Sequence, residues 1–93
     1  FVGANDGASS TAVLLELARA LAAAPSRSVT WRLVFFDGEE AVREHWADPD
    51  NRYGSRHHVA ALREQGELAR VKAFVLVDMV GDRDLVLTRD EYS

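Results

Sequence analysis

Five carboxylates stand where a fold could put them to work. The apolar run Leu33-Val34-Phe35-Phe36 stops on Asp37-Gly38-Glu39-Glu40, and Phe74-Val75-Leu76-Val77 stops on Asp78. Asp6 lies in the small-residue stretch Gly3-Ala4-Asn5-Asp6-Gly7-Ala8-Ser9, just ahead of another apolar segment. Carboxylates gathered at one edge of a fold repel one another unless a proton or cation offsets their charge, and a divalent metal is the natural resolution. The adjacent pair Glu39-Glu40 adds a division of labour. Consecutive side chains on a turn point in different directions, so one carboxylate can bind a metal while the other faces the reacting group as general base. Each acid also has a plainer reading, as a helix cap or a solvated loop charge. For Asp6 that reading is an ordinary helix N-terminal acid favoured by the macrodipole.

The elements that must position these residues can be read from periodicity. Val13, Leu14, Leu17, Ala18 and Leu21 fall on one stripe at helical spacing, with Glu16 and Arg19 together on the opposite side. Ser9 or Ser10 is the candidate cap and Pro25 lies just beyond the end, which predicts a helix over 10–23. Val29, Trp31, Leu33 and Phe35 alternate with polar residues and then merge into the run at 33–36, a pattern expected of a strand that becomes buried on both faces. The stretch 41–52, which carries Trp46 and Pro49, reads as an irregular loop. Val59, Ala60 and Leu62 predict a second helix over 55–65, stopped by Gly66. Residues 71–80 read as a further strand and 85–88 as a weaker one. Helices alternating with buried strands predict an α/β fold with a mostly parallel sheet covered on both faces.

Composition narrows the classes. The chain has 93 residues, 47% of them hydrophobic, with 15 acidic against 11 basic residues and a formal net charge of −4. That balance leaves no electrostatic footprint for nucleic acid or an anionic membrane surface. The apolar runs are about half the roughly 20 residues that a membrane-spanning helix needs. The absence of cysteine excludes disulfides, a thiolate nucleophile and thiolate metal ligands. Beginning on Phe1 and ending on Ser93, the sequence reads as a single partial domain, 1–93, cut from the central part of a larger one.

Five blocks taken together resemble a known family. They are Gly3-Ala4-Asn5-Asp6-Gly7-Ala8-Ser9, Val34-Phe35-Phe36-Asp37-Gly38-Glu39-Glu40-Ala41, His45-Trp46, Tyr53-Gly54-Ser55-Arg56-His57 and Val77-Asp78-Met79-Val80-Gly81. In this order, and spanning nearly the whole chain, they closely resemble the glutaminyl cyclases, or glutaminyl-peptide cyclotransferases. Those enzymes share a fold with the zinc aminopeptidases of metallopeptidase family 28. The resemblance implies part of a three-layer α/β/α zinc-exopeptidase-like catalytic domain. It implies that Asp6 and Glu40 are zinc ligands and that Glu39 is the catalytic acid/base. Asp78 would assist catalysis by hydrogen bonding in a cyclase, or ligate the second metal in a two-zinc aminopeptidase. Trp46 would line the substrate pocket. One Zn2+ is expected for a cyclase and two for an aminopeptidase. The Asp6-Gly7 peptide is expected to be cis, as in relatives, although a non-proline cis bond costs roughly 2.5–4 kcal/mol.

One spacing favours the cyclase branch. Aminopeptidases of the family usually pass from the Glu-Glu pair to a Gly-Ser helix start within a few residues, whereas 41–53 intervene here. The plainer reading of that insertion is a surface loop whose Trp46 packs against a sheet edge. His57-His58 and Arg56 read as structural, and Trp31 as strand packing. The sequence departs from the animal cyclases in Asn5-Asp6-Gly7, in a slightly longer approach to His45-Trp46, and in lacking a cysteine near Thr11. The histidine zinc ligands that the resemblance implies lie outside these residues. Two carboxylates do not make a zinc site, which takes about four ligands, so this stretch alone is expected to be inactive and to bind zinc weakly.

The resulting expectation is a zinc-dependent cyclotransferase, an acyltransferase that forms N-terminal pyroglutamate from glutaminyl peptides. An aminopeptidase of the hydrolase class is the alternative, with Glu39 deprotonating a metal-bound water, and a non-catalytic α/β module is a third reading. The partner is the N-terminus of a peptide. Neither nucleic acid nor a membrane span is implied, and the oligomeric state is left open. Secretion or a periplasmic location follows from the resemblance alone.

Overall fold

The computed structural model describes residues 3–25, 28–43 and 45–88. Two helices form, α1 at Ala8–Ala23 and α2 at Tyr53–Glu64, followed by a 3-10 turn at Leu68–Arg70. The chain divides into two compact units, one built from the residues through Leu33 together with those from Leu76 onward, the other from Val34–Val75.

In the first unit, α1 starts two residues earlier than the periodicity predicts, and the expected serine cap does not operate. Its N-cap is Gly7, at φ 90°, a left-handed setting that costs glycine nothing. The hydroxyls that could have capped the helix turn backward instead. Ser9 Oγ donates to the Asn5 carbonyl (2.5 Å), and Ser10 and Thr11 donate to that of Gly7 (3.0 and 2.8 Å). The helix ends at Ala24, whose extended backbone (ψ 133°) is what a following proline imposes. Leu14, Leu17, Ala18 and Leu21 are half-buried, as the stripe requires, but Val13 is 44% exposed; Glu16 and Arg19 pair on the exposed side.

In the second unit, α2 buries Leu62, the one buried apolar residue among those described. Gly66, at φ 68°, stops the helix as expected. Its N–H donates to the Arg63 carbonyl and that of Glu67 to Leu62, the paired bonds of a Schellman motif. No helix among the described residues is long and apolar enough to cross a membrane.

The expected α/β class, with its mostly parallel central sheet in three layers, is not observed. Among the described residues no strand forms at 29–36, 71–80 or 85–88; these segments run without a ladder. Their apolar side chains stay largely in solvent, with Phe74 71%, Val75 77% and Leu87 81% exposed. The physical reason lies in what a β-rich sequence specifies. It favours an extended backbone and an apolar face, but a strand exists only when another segment supplies the matching N–H and C=O groups. Trp31, read as strand packing, is 51% exposed for the same reason.

Candidate functional site

Asp6 and Asp78 belong to the first unit. Asp6 is half-buried in the loop that leads into α1, where the Ala8 N–H closes back on the Gly3 carbonyl (3.0 Å). Asp78 is exposed at the start of a short strap, 78–81, whose Met79 holds a left-handed backbone at φ 48°. The strap is tied to the Asp6 loop at two points. The Val80 N–H donates to Ser9 Oγ (3.0 Å) and the Gly81 N–H to Asn5 Oδ1 (2.7 Å). Only glycine fits at 81, because a Cβ there would lie 2.8 Å from that of Ser9 and 3.0 Å from Asn5 Oδ1. Two of the expected site residues are therefore carried on mutually bonded loops. The expected cis bond is corrected: Asp6-Gly7 is trans, and the cis peptide among the described residues is Asp48-Pro49.

Glu39, Glu40 and Trp46 belong to the second unit. The turn bearing the glutamate pair is docked on the start of α2. The N–H groups of Arg52, Tyr53 and Gly54 donate to the carbonyls of Glu39 (2.7 Å), Gly38 (2.7 Å) and Asp37 (3.2 Å). Those bonds satisfy donors that a helix start leaves open, which explains why α2 has no side-chain cap. Gly38 supplies the positive φ of 57° that the turn needs, and Gly54 supplies clearance, since a Cβ there would meet the Asp37 carbonyl oxygen at 2.4 Å. Glu39 and Glu40 are both exposed.

The insertion carrying Trp46, described at 41–43 and 45–53, is closed back on itself. Asp50 closes it, accepting from the N–H groups of Val42 (3.3 Å) and Arg43 (2.8 Å) and from the Tyr53 hydroxyl. The Tyr53 hydroxyl, then the Arg43 and Val42 N–H groups, hold the Asp50 carboxyl below its ordinary range, and Asp50 in turn raises the Tyr53 phenol. Arg52 bonds Asp48 (2.6 Å) and lowers its pKa. Arg56 donates to the carbonyls of Pro49 (2.6 Å) and Asn51 (3.4 Å), the structural role expected of it. A cleft of about 470 Å³ opens between Arg43, Asp50, Tyr53 and Arg56. Trp46 is 53% exposed. His58 meets Phe36 edge-on with ring centroids 5.7 Å apart, a packing contact.

Carboxylate oxygens suit zinc, but the donor set in hand does not fit it. Among the described residues no group of three or more His, Cys, Asp or Glu could hold a metal, and Asp6 and Glu40 supply only two of the about four ligands required. Asn5, Ser9, Gly81, Gly54 and Asp50 make the bonds and close contacts that tie these loops, and the reading of the carboxylates passed over them. Most of them stand within the quoted motif blocks, so their signal was adjacency to a candidate acid.

With this geometry in place, the comparisons define the class. The chain belongs to peptidase family M28, whose model matches residues 2–89. Within that class it is 43% identical over 94 residues to the glutaminyl-peptide cyclotransferase-like protein of Mus musculus, covering 87% of this chain and 24% of that protein. It is 39% identical over 88 residues to the glutaminyl-peptide cyclotransferase of Drosophila melanogaster (90% of this chain, 25% of that one). It is 35% identical over 105 residues to that of Boiga irregularis (92% and 28%). The chain thus spans about a quarter of the length of the curated relatives it matches. No solved structure matches it.

Proposed function

We propose that this chain is the central part of the catalytic domain of a glutaminyl-peptide cyclotransferase, which closes an N-terminal glutamine to pyroglutamate and releases ammonia. The observation that carries the reading is the 35–43% identity, over most of the chain, to proteins bearing that name. The insertion at 41–53 supports it, because that spacing favours the cyclase branch; Trp46, 53% exposed within it, would line the substrate pocket.

In this reaction the α-amine nitrogen forms a bond to the side-chain amide carbon, and the bond from that carbon to the amide nitrogen breaks. Glu39 takes the proton that the amine loses and returns it to the departing nitrogen, so that ammonia leaves neutral. Asp78 hydrogen-bonds the reacting group and steadies the exchange. Asp6 and Glu40 would hold zinc in the intact protein, where further donors would have to complete the set.

The test is ammonia release from a glutaminyl peptide by the intact protein. Turnover is expected, with loss on chelation and recovery on adding Zn2+. Glu39→Gln is expected to lower kcat about 100-fold or more, the lower end of general acid–base contributions. No ammonia release by the wild type overturns the reading. Removal of N-terminal residues from simple peptides instead would assign the protein to aminopeptidase chemistry, in keeping with a family named for peptidases.

A further inference from the structure

Resting on the cyclotransferase reading, we propose that Asn5 and Ser9 are positioning residues that set Asp78 for catalysis by holding the 78–81 strap against the Asp6 loop. The case starts from connectivity. Asn5 immediately precedes Asp6, and its side-chain oxygen takes the N–H of Gly81, three residues beyond Asp78. Ser9 acts as a relay: its hydroxyl donates to the Asn5 carbonyl and accepts from the Val80 N–H, so loop, helix start and strap share one hydrogen-bonded chain.

Backbone conformation makes the arrangement specific. Met79 lies between Asp78 and the two bonded amides in a left-handed conformation, φ 48°. A residue with a side chain holds that region only where its surroundings over-determine it. Here the bonds to Val80 and Gly81 and the close approach at Gly81 are the constraints. Releasing them frees Met79 to relax and turns the Asp78 backbone with it. A displacement of about 1 Å at a catalytic group can cost on the order of 100-fold in rate.

The experiment is a double-mutant cycle in the intact protein, reading kcat and KM for ammonia release together with amide exchange at residues 80 and 81. Asn5→Ala is expected to lower kcat about 10- to 100-fold with KM nearly unchanged, and to speed exchange at the Gly81 amide. Ser9→Ala is expected to act likewise, lowering kcat more than it changes KM and speeding exchange at the Val80 amide. In an Asp78→Asn background, Asn5→Ala should cost little more, because the group it positions is already gone. A merely structural role would instead multiply the two losses. Wild-type protein that releases no ammonia overturns the cyclotransferase reading and this role with it. Turnover by the wild type with Asn5→Ala equally active, or with losses that multiply against Asp78→Asn, overturns the positioning role alone.

Discussion

Two segments beside the candidate acids, the Asp78 strap and the Trp46 loop, are held in opposite ways. In the first unit the strap bearing Asp78 is joined to the Asp6 loop by neutral hydrogen bonds between residues 71 and 76 positions apart. In the second, the Trp46 loop is closed by the Asp50 carboxylate reaching partners only three to eight positions away. The long closure spans roughly three doublings of the short one, about 2 kcal/mol more in loop entropy. It accordingly uses two bonds reinforced by a glycine contact that admits no side chain. The short closure needs no such reinforcement, but its acceptor is a titratable group. The contrast separates a pH-insensitive joint at one pair of acids from a pH-sensitive clasp beside the other.

Breaking the glycine contacts is expected to have the largest effect. Gly54→Ala drives a Cβ onto the Asp37 carbonyl oxygen at 2.4 Å, a backbone atom that cannot step aside. It should destabilise the protein by about 3 kcal/mol, the upper end for overpacking, read as a shift in the urea midpoint. Gly81→Ala meets Ser9 Cβ at 2.8 Å and should cost less, roughly 1–2 kcal/mol. Equal effects from the two would mean that a backbone oxygen and a side-chain carbon yield alike to the added Cβ.

The charge difference is sharpened by pH. Because the Asp50 carboxyl is held below its ordinary value, its contribution is complete above the unfolded value of about 4 and is lost as pH falls through the lower folded one. Tyr53 is the mirror case. Its pKa is raised, so its contribution is complete below about pH 10 and lost on further rise. Asp50→Asn should flatten the acid limb of the melting profile by the share that the clasp contributes, whereas Asn5→Ala should leave the shape of that profile unchanged. An acid limb identical in the wild type and Asp50→Asn would break the assignment. The smallest effect is expected at the exposed Glu16–Arg19 pair on α1. Glu16→Gln should move the melting temperature by no more than about one degree, as surface ion pairs generally do.

Legibility followed the range of the interaction. The stripe Leu14, Leu17, Leu21 and the stop at Gly66 were readable because helix bonds join residues four apart, so the sequence holds both partners close together. The family was readable for a related reason: Glu39-Glu40 and Asn5-Asp6-Gly7 are contiguous motifs. The sheet was not. Phe74-Val75-Leu76-Val77 looks like a strand, yet strand pairing is decided by a distant partner and none of the described residues provides one. The serine cap failed on a finer competition, since Ser9 had a better use for its hydroxyl in joining Asn5 and Val80.

By itself, then, the sequence determined two helices, the family, and the identity of the candidate acids, all of which are properties of residue type at short spacing. Tertiary structure alone decided that Asn5 and Ser9 hold the Asp78 strap, that Gly54 seats the glutamate turn on α2, and that the apolar runs stay unpaired. Those outcomes depend on which amide meets which acceptor across loops, and on whether there is room for a single Cβ. Neither is encoded in the spacing of residues along the chain.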